Sequence, residues 1–451
     1  MTTDRTAERT SRTETYLAAG ILFYAAIVFC LPVPHSDEVA ALYPWWAKRV
    51  VLGKILLHEL LFLAWIAFYG WRYLQRVLLN GGTPTRQAAI WLIVMAIWCG
   101  LISLTAPLLW IDAGRTVRLL LNAALMLAVV RWTRLHGDLP LGSLILGFFS
   151  GTVINLIISF QYPLIVNETL RLSGQNTPGV AMGLAIHFSA WLFYHTRQRL
   201  LQAFLLLATL VFAFSCALSY SRVGWFAGTM GLAAWAYLFV AARPFDQKQG
   251  RYLKQLRVVL VPIVLLALAV APTSSLVQEN YLWIGDLIRQ KLSTGGDSDS
   301  LRWAYFEGSA EILSIHPLGV GYSGFFDAIT ATETYRSGTA AEEKSPSEAN
   351  PHAAFLWYAI AGGIPGGLMA VLVFTMLLNS LRVGLKYAMG RTGLVLFTLV
   401  ALPYFVIGLT VPYLFNSIIL IVPAAIAAGW GWTQYVNTAE FTRLHTEPSK
   451  V

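Results

Sequence analysis

The chain has 451 residues, of which 57% are hydrophobic and 12% charged, with a formal net charge of +9. Apolar runs of about 18 residues or more recur along it, which excludes a water-soluble globular domain, a disordered chain and a disulfide-stapled secreted module. The class they define is an all-α polytopic membrane protein, and its basic residues map onto the connections between apolar runs, so no nucleic-acid partner is expected.

From the N-terminus, the apolar runs predict spans at 16–33, 50–69, 88–110, 116–131, 141–160, 178–195, 199–220, 223–242, 256–272, 352–378, 392–411 and 413–432, about 12 transmembrane helices in all. Arg5, Arg9 and Arg12 precede a first run that is longer than a signal-peptide core and lacks a small-x-small cleavage site, so an uncleaved first span is expected. Lys54, His58 and Glu59 cluster in the outer half of the second span. Intramembrane ionisable groups are functional candidates by default, and Lys54 either adds charge near an anion or pairs with Glu59. Asp112, Arg115 and Arg118 are predicted in a short outer turn, where the two arginines either line an anionic groove or pair with Asp112. Trp45, Trp46 and Trp110 suit an interfacial belt. Asn167-Glu168-Thr169 forms a sequon, a match common by chance. His187, within the sixth span, reads as a packing residue with a satisfied ring. Cys30, Cys99 and Cys216 all fall in apolar runs, where a thiol behaves as a small hydrophobe.

Twelve spans put both termini on one side. With that side cytoplasmic, the inner segments hold 20 Lys and Arg and the short outer segments 6, a positive-inside bias. The most basic inner segment, Arg243 to Arg257, is sufficiently explained as a topology anchor touching anionic lipid. The organisation read from this is spans one to nine over 1–272, one large periplasmic loop over 273–350, spans ten to twelve over 351–433 and a cytoplasmic tail over 434–451.

The large loop, between helices nine and ten, has a composition of its own. It holds eleven acids and five bases, net −6 within a chain of +9. From Ser300 to Ile315 the spacing of Leu301, Tyr305, Ile312 and Ile315 predicts a short helix, ended by His316-Pro317. Gly319, Gly321 and Gly324 follow, a plain loop or a nest of main-chain N–H groups for an anion. The stretch from Ala331 to Glu348 is poor in apolar residues and is expected to be mobile. Asp297-Ser298-Asp299 imitates the metal-binding Asp-x-Asp of nucleotide-sugar transferases, but those enzymes need a cytoplasmic donor, and a solvated acidic loop is the favoured reading.

The loop ends at Asn350, Pro351 and His352. Asn is a preferred N-cap and Pro a preferred first helical residue, which predicts His352 in the first turn of span ten. There the helix-end dipole favours a neutral ring able to accept a proton, and the competing reading is a polar residue at a membrane boundary.

Three blocks now fall on one face. They are SYSRVGWFAG from Ser219 to Gly228, SLRWAYFEGSAEILSIHPLGVGYSGF from Ser300 to Phe325, and His352 followed by Gly363, Ile364, Pro365 and Gly366. Their order resembles the O-antigen ligase family, within a superfamily of ligases and polymerases acting on lipid-linked polysaccharides. The family's pattern is His, then Asn, Ser or Gln, then nine residues before a Gly-x-x-Gly ending; here the residue after His352 is Ala353, a departure that bears on one local hydrogen bond.

The resemblance implies transfer of polysaccharide from undecaprenyl diphosphate to a sugar of the lipid A core, at the periplasmic face of the bacterial inner membrane. It points to His352 as the residue acting on the reacting groups, and to Arg222 and Arg302 as diphosphate ligands. Lys54, Arg115, Arg118, Tyr322 and Ser221 are accessory candidates. The chemistry is coherent without the family. A glycan on diphosphate is already activated, guanidinium is the best group to hold the leaving diphosphate, and a neutral imidazole is the ordinary base for a sugar hydroxyl. One base opposite the leaving group inverts the anomeric centre, and no metal or cofactor is required. For Arg222 the competing role is a snorkelling interfacial residue, and for Arg302 a surface ion pair with Glu307 or another loop acid. The related polymerase and the glycan-to-protein transferase are alternatives. A lipid-linked glycan transporter is the alternative from another class, disfavoured because no internal repeat is found.

Overall fold

The structure is a computed structural model that describes residues 12–31, 57–71, 84–136, 139–161, 164–166, 169–171, 176–219, 221–240, 254, 297–337 and 353–387. In chain order these form α1 (Arg12–Cys30), α2 (Leu57–Trp65, continued by a π turn Ile66–Gly70), α3 (Pro84–Ile102, ended by a 3-10 turn Ser103–Thr105), α4 (Leu109–His136) and α5 (Leu139–Gln161). A hairpin of β1 (Leu164–Val166) and β2 (Thr169–Arg171) follows, then α6 (Asn176–His195), α7 (Arg199–Leu218) and α8 (Arg222–Val240). The last group is α9 (Asp297–Ile315), α10 (Phe325–Ala331), α11 (Glu333–Ser337) and α12 (Ala354–Tyr387).

Among the described residues, six helices are long and apolar enough to cross a membrane, and three shorter apolar helices accompany them. The protein is a multi-pass membrane protein. Spans one to eight and ten of the sequence reading each coincide with one of these helices. The expected spans at 256–272, 392–411 and 413–432 lie outside the described residues. The hairpin is an addition, antiparallel with Ile165 opposite Leu170, in the connection where only the sequon was noted.

One boundary differs from expectation. The turn between the third and fourth helices falls at 106–108, so Asp112, Arg115 and Arg118 stand within the first three turns of α4, not in a short outer turn. The cause is Pro107. Its ring disfavours helical backbone at the preceding residue, and Ala106 is extended at φ −79, ψ 152.

Short turns make successive helices antiparallel. The turn 106–108, the hairpin and the turn at Ser219 therefore share one end of the bundle, and the contact of Arg115 of α4 with Trp357 puts the start of α12 there too. The tightest seam in it joins α6 to α8. An added Cβ on Gly183 would come 2.5 Å from the Ala227 Cβ, and one on Gly224 would come 2.9 Å from the Gly179 backbone. Small residues at i and i+4 on both helices let the backbones touch, the means by which helices associate where lipid removes the hydrophobic drive. His187 is buried in that seam with its Nε2 3.0 Å from the Ala227 carbonyl, a packing histidine with a partner. The three cysteines are buried.

Candidate functional site: a loop docked in a broken helix

Helix α12 is not continuous. Gly362 (φ −123, ψ 18) and Gly363 (φ 68, ψ −169) leave helical geometry, and Pro365 follows. The Gly363 conformation is one that side chains disfavour, and a Cβ there would sit 2.2 Å from the Pro317 carbonyl oxygen. The Gly-Ile-Pro-Gly string thus encodes a break. A break in an apolar span leaves main-chain groups that must find partners inside the protein.

The glycine-rich loop after α9 supplies them. The Val320 N–H donates to the Ile360 carbonyl at 2.9 Å and the Gly321 N–H to the Ala361 carbonyl at 3.1 Å, while the Ile364 N–H donates back to the Pro317 carbonyl at 2.9 Å. The Gly362 carbonyl accepts from the Trp98 indole of α3 at 2.6 Å. Gly319 (φ 96) and Gly321 (φ 77) take backbone conformations that open this close approach. The N–H groups of Val320 and Gly321 are therefore spent on α12, not gathered into an anion nest.

The same loop is fastened to α4. The Ser323 hydroxyl accepts the Leu108 N–H at 3.1 Å, and the Ser323 N–H donates to Asp112 Oδ1 at 2.9 Å. Leu108 is the N-cap of α4, since its carbonyl takes the Asp112 N–H. The clasp satisfies one helix-start donor and one loop donor at once. Asp112 is fully buried.

Aromatic rings complete the joint. Tyr335 stacks on Tyr305, which meets Phe325; Phe325 meets Trp357, and Trp357 meets Tyr322, with centroids 5.7 to 6.2 Å apart. This chain runs from the loop helices into the first turn of α12. Burial pushes the Tyr305 phenol up to about 12, with Tyr335 adding to the rise. Burial likewise holds the Tyr322 phenol well above the ordinary range, helped by Cys99 and Tyr358 and opposed by Arg115. The Arg115 guanidinium lies 4.8 Å from the Trp357 ring centre and 5.6 Å from that of Tyr322, a cation over two aromatic faces.

Two smaller motifs hold the loop helices. Glu311 of α9 accepts the Glu333 N–H at 3.0 Å, and Thr332 Oγ1 accepts the Tyr335 N–H at 3.3 Å, so both orient the start of α11. The stretch expected to be mobile from Ala331 is accordingly helical over Glu333–Ser337, and its remainder lies outside the described residues. Asp297 and Asp299 open α9, where acids suit the positive helix end. No metal-holding group of acids, His or Cys occurs among the described residues.

The remaining site candidates are distributed as follows. Ser221 is the N-cap of α8, its hydroxyl accepting the Gly224 N–H at 3.1 Å and its carbonyl the Trp225 N–H at 2.8 Å, which makes Arg222 the first helical residue. Arg302 stands in the second turn of α9. Helix α12 begins at Ala354, and the Trp357 N–H bonds to the Ala353 carbonyl; the expected cap at Asn350 and Pro351 lies outside the described residues. His352 and Lys54 lie outside the described residues. Arg118 pairs with Glu59 of α2 at 2.8 Å, a pairing the sequence reading missed because it weighed Glu59 only with Lys54.

A family model described as O-antigen ligase matches residues 207–371. This segment is similar to the O-antigen ligase family. The matched segment runs from within α7 to within α12, so it takes in the capped turn before Arg222, the loop helix carrying Arg302, His352 and the broken helix. Every main-chain bond between the loop and the break lies within it. No curated protein matches the chain.

Proposed function

We propose that the protein is an O-antigen ligase of the bacterial inner membrane, with both termini cytoplasmic and its active site periplasmic. It transfers a polysaccharide from undecaprenyl diphosphate to a sugar of the lipid A core. The observation that carries this reading is the single family match, which spans Arg222, Arg302 and His352 together. The docked loop supports it, because it ties the helix bearing Arg302 to the helix that follows His352.

In the reaction, an acceptor hydroxyl attacks the anomeric carbon as His352 takes its proton, and the bond from that carbon to the diphosphate oxygen breaks. Arg222 and Arg302 hold the departing undecaprenyl diphosphate, whose charge they neutralise without a metal ion. Attack opposite the leaving group inverts the configuration.

The test is transfer by purified protein in detergent with only lipid-linked donor and lipid A core acceptor. His352→Ala is expected to fold and to lose roughly 10²- to 10⁴-fold in rate. Full transfer by that variant removes the base role, and loss of wild-type transfer to EDTA with rescue by a divalent ion removes the metal-free scheme. The spacing from His352 to Gly363 favours the ligase, but Ala353, where the ligase pattern has a polar residue, weakens that preference and makes the polymerase the second reading. A gene deletion separates them: a missing ligase leaves bare core with polymer on its carrier, a missing polymerase leaves core capped by one repeat.

A further inference from the structure

We propose that Asp112 is a positioning residue for this transfer, acting through the loop and not on the substrate. The inference rests on the proposed function for the reaction it positions, but its geometry stands on its own. Arg302 and the residues after His352 belong to separate segments, α9 and α12, and the transfer needs them at a fixed separation. The loop Pro317–Gly324 joins them. It is held on one side by the bonds to Ile360, Ala361 and Ile364, and on the other by Asp112 and Leu108. Without the second side, the loop bonds only the element whose position it must set.

Asp112 suits that role by place and chemistry. It stands in the first turn of α4, where the helix dipole favours a carboxylate, and it is buried, so its bond to the Ser323 N–H does not compete with bulk water. Arg115, one turn on, faces Trp357 of α12, so α4 grips both the loop and the broken helix. Gly321 reports how close the fit is: a Cβ there would come 2.8 Å from Asp112 Oδ2 and 2.6 Å from the Ala106 Cβ. An approach of that kind fixes the loop against α4 to within a fraction of a side chain.

The experiment pairs a distance with a rate. Spin labels at Ala310 on α9 and Leu368 on α12, both exposed, report the separation of the two segments in full-length protein whether or not the protein is active. In Asp112→Ala the distance distribution broadens and kcat falls roughly a hundredfold with donor KM little changed, the signature of reacting groups displaced by about an ångström. Asp112→Asn, whose amide oxygen still accepts the Ser323 N–H, keeps the narrow distribution and stays within a few-fold of wild-type kcat. Gly321→Ala, which leaves the carboxylate intact but obstructs the fit, behaves like Asp112→Ala. Two results overturn the proposal: an unchanged distance distribution in Asp112→Ala, or Asp112→Asn losing as much kcat as Asp112→Ala while the distance stays narrow. A wild-type protein that transfers nothing overturns the proposed function instead, and the label distances still decide whether Asp112 fixes the loop.

Discussion

The Ser323 N–H donates to Asp112 Oδ1 at 2.9 Å, joining residues 211 positions apart in the chain. Through it the glycine-rich loop is fixed to the head of a spanning helix. The loop's other side fills the break of α12, so three elements from distant parts of the sequence are registered to one another, the loop to α12 by main-chain bonds and the loop to α4 by the Asp112 carboxylate and the Ser323 hydroxyl.

The break tolerates no side chain. Gly363→Ala meets the Pro317 oxygen at 2.2 Å and needs a left-handed residue besides, and Gly319→Ala would put its Cβ 2.4 Å from the Gly363 nitrogen. The left-handed backbone alone costs roughly 1–2 kcal/mol per residue. Either variant is expected to lower the thermal midpoint in detergent and to expose the loop 317–324 to limited proteolysis; an unaltered midpoint and cleavage pattern would show that the break does not set the fold.

The Glu59–Arg118 pair is largely removed from water, with side-chain exposures of 4% and 23%. Deleting one partner of a buried pair costs roughly 3–5 kcal/mol, because the other charge stays behind. Glu59→Gln should therefore reduce the yield of folded protein sharply, and the double variant Glu59→Gln with Arg118→Gln should recover part of it. Equal yields for single and double variants, measured by fluorescence-detected size exclusion, would count against the pair.

The α6–α8 seam predicts a compensating pair of changes. Gly183→Ala places a methyl 2.5 Å from the Ala227 Cβ, and overpacking of this kind costs roughly 1–3 kcal/mol. Adding Ala227→Gly should return only part of that stability, because the Gly228 nitrogen and the Ala227 carbonyl carbon would still lie 2.9 and 3.0 Å from the new methyl. The thermal midpoints of the three variants check it, and additive losses would refute the contact.

If Arg222 and Arg302 hold the diphosphate, lysine keeps the charge but loses the planar bidentate fork. Each Arg→Lys change should weaken donor use by about tenfold or more, the size of a lost charge-assisted hydrogen bond of about 1.5–3 kcal/mol. Initial rates against donor concentration report this, and an effect confined to acceptor KM would move the arginine away from the diphosphate.

Much of the architecture was legible in the chain. Hydropathy runs such as 141–160 became α5 (Leu139–Gln161) because an apolar segment of that length has few options other than a helix. Helix α9 was legible from Tyr305 and Ile312, which are indeed buried. The turn at 106–108 could have been found from Ala106-Pro107, but the apolar run continues through Trp110 and hydropathy alone cannot see a proline. Of the site, the motif residues were legible as blocks, while the Glu59–Arg118 and Asp112–Ser323 partnerships were not, because pairing across helices leaves no period in either helix.

By itself the sequence determined that the protein spans a membrane with helices, in what order they come, and that glycines recur at Gly319, Gly321, Gly324, Gly363 and Gly366. These follow from local properties, the hydrophobicity of a run and the backbone freedom of a residue. Only the tertiary structure decided what the glycines are for: the N–H groups of one glycine loop complete the carbonyls of one broken helix, and Asp112 fixes the loop from a third. A hydrogen bond is satisfied by whatever lies about 3 Å away in space, and which groups those are depends on how the helices pack.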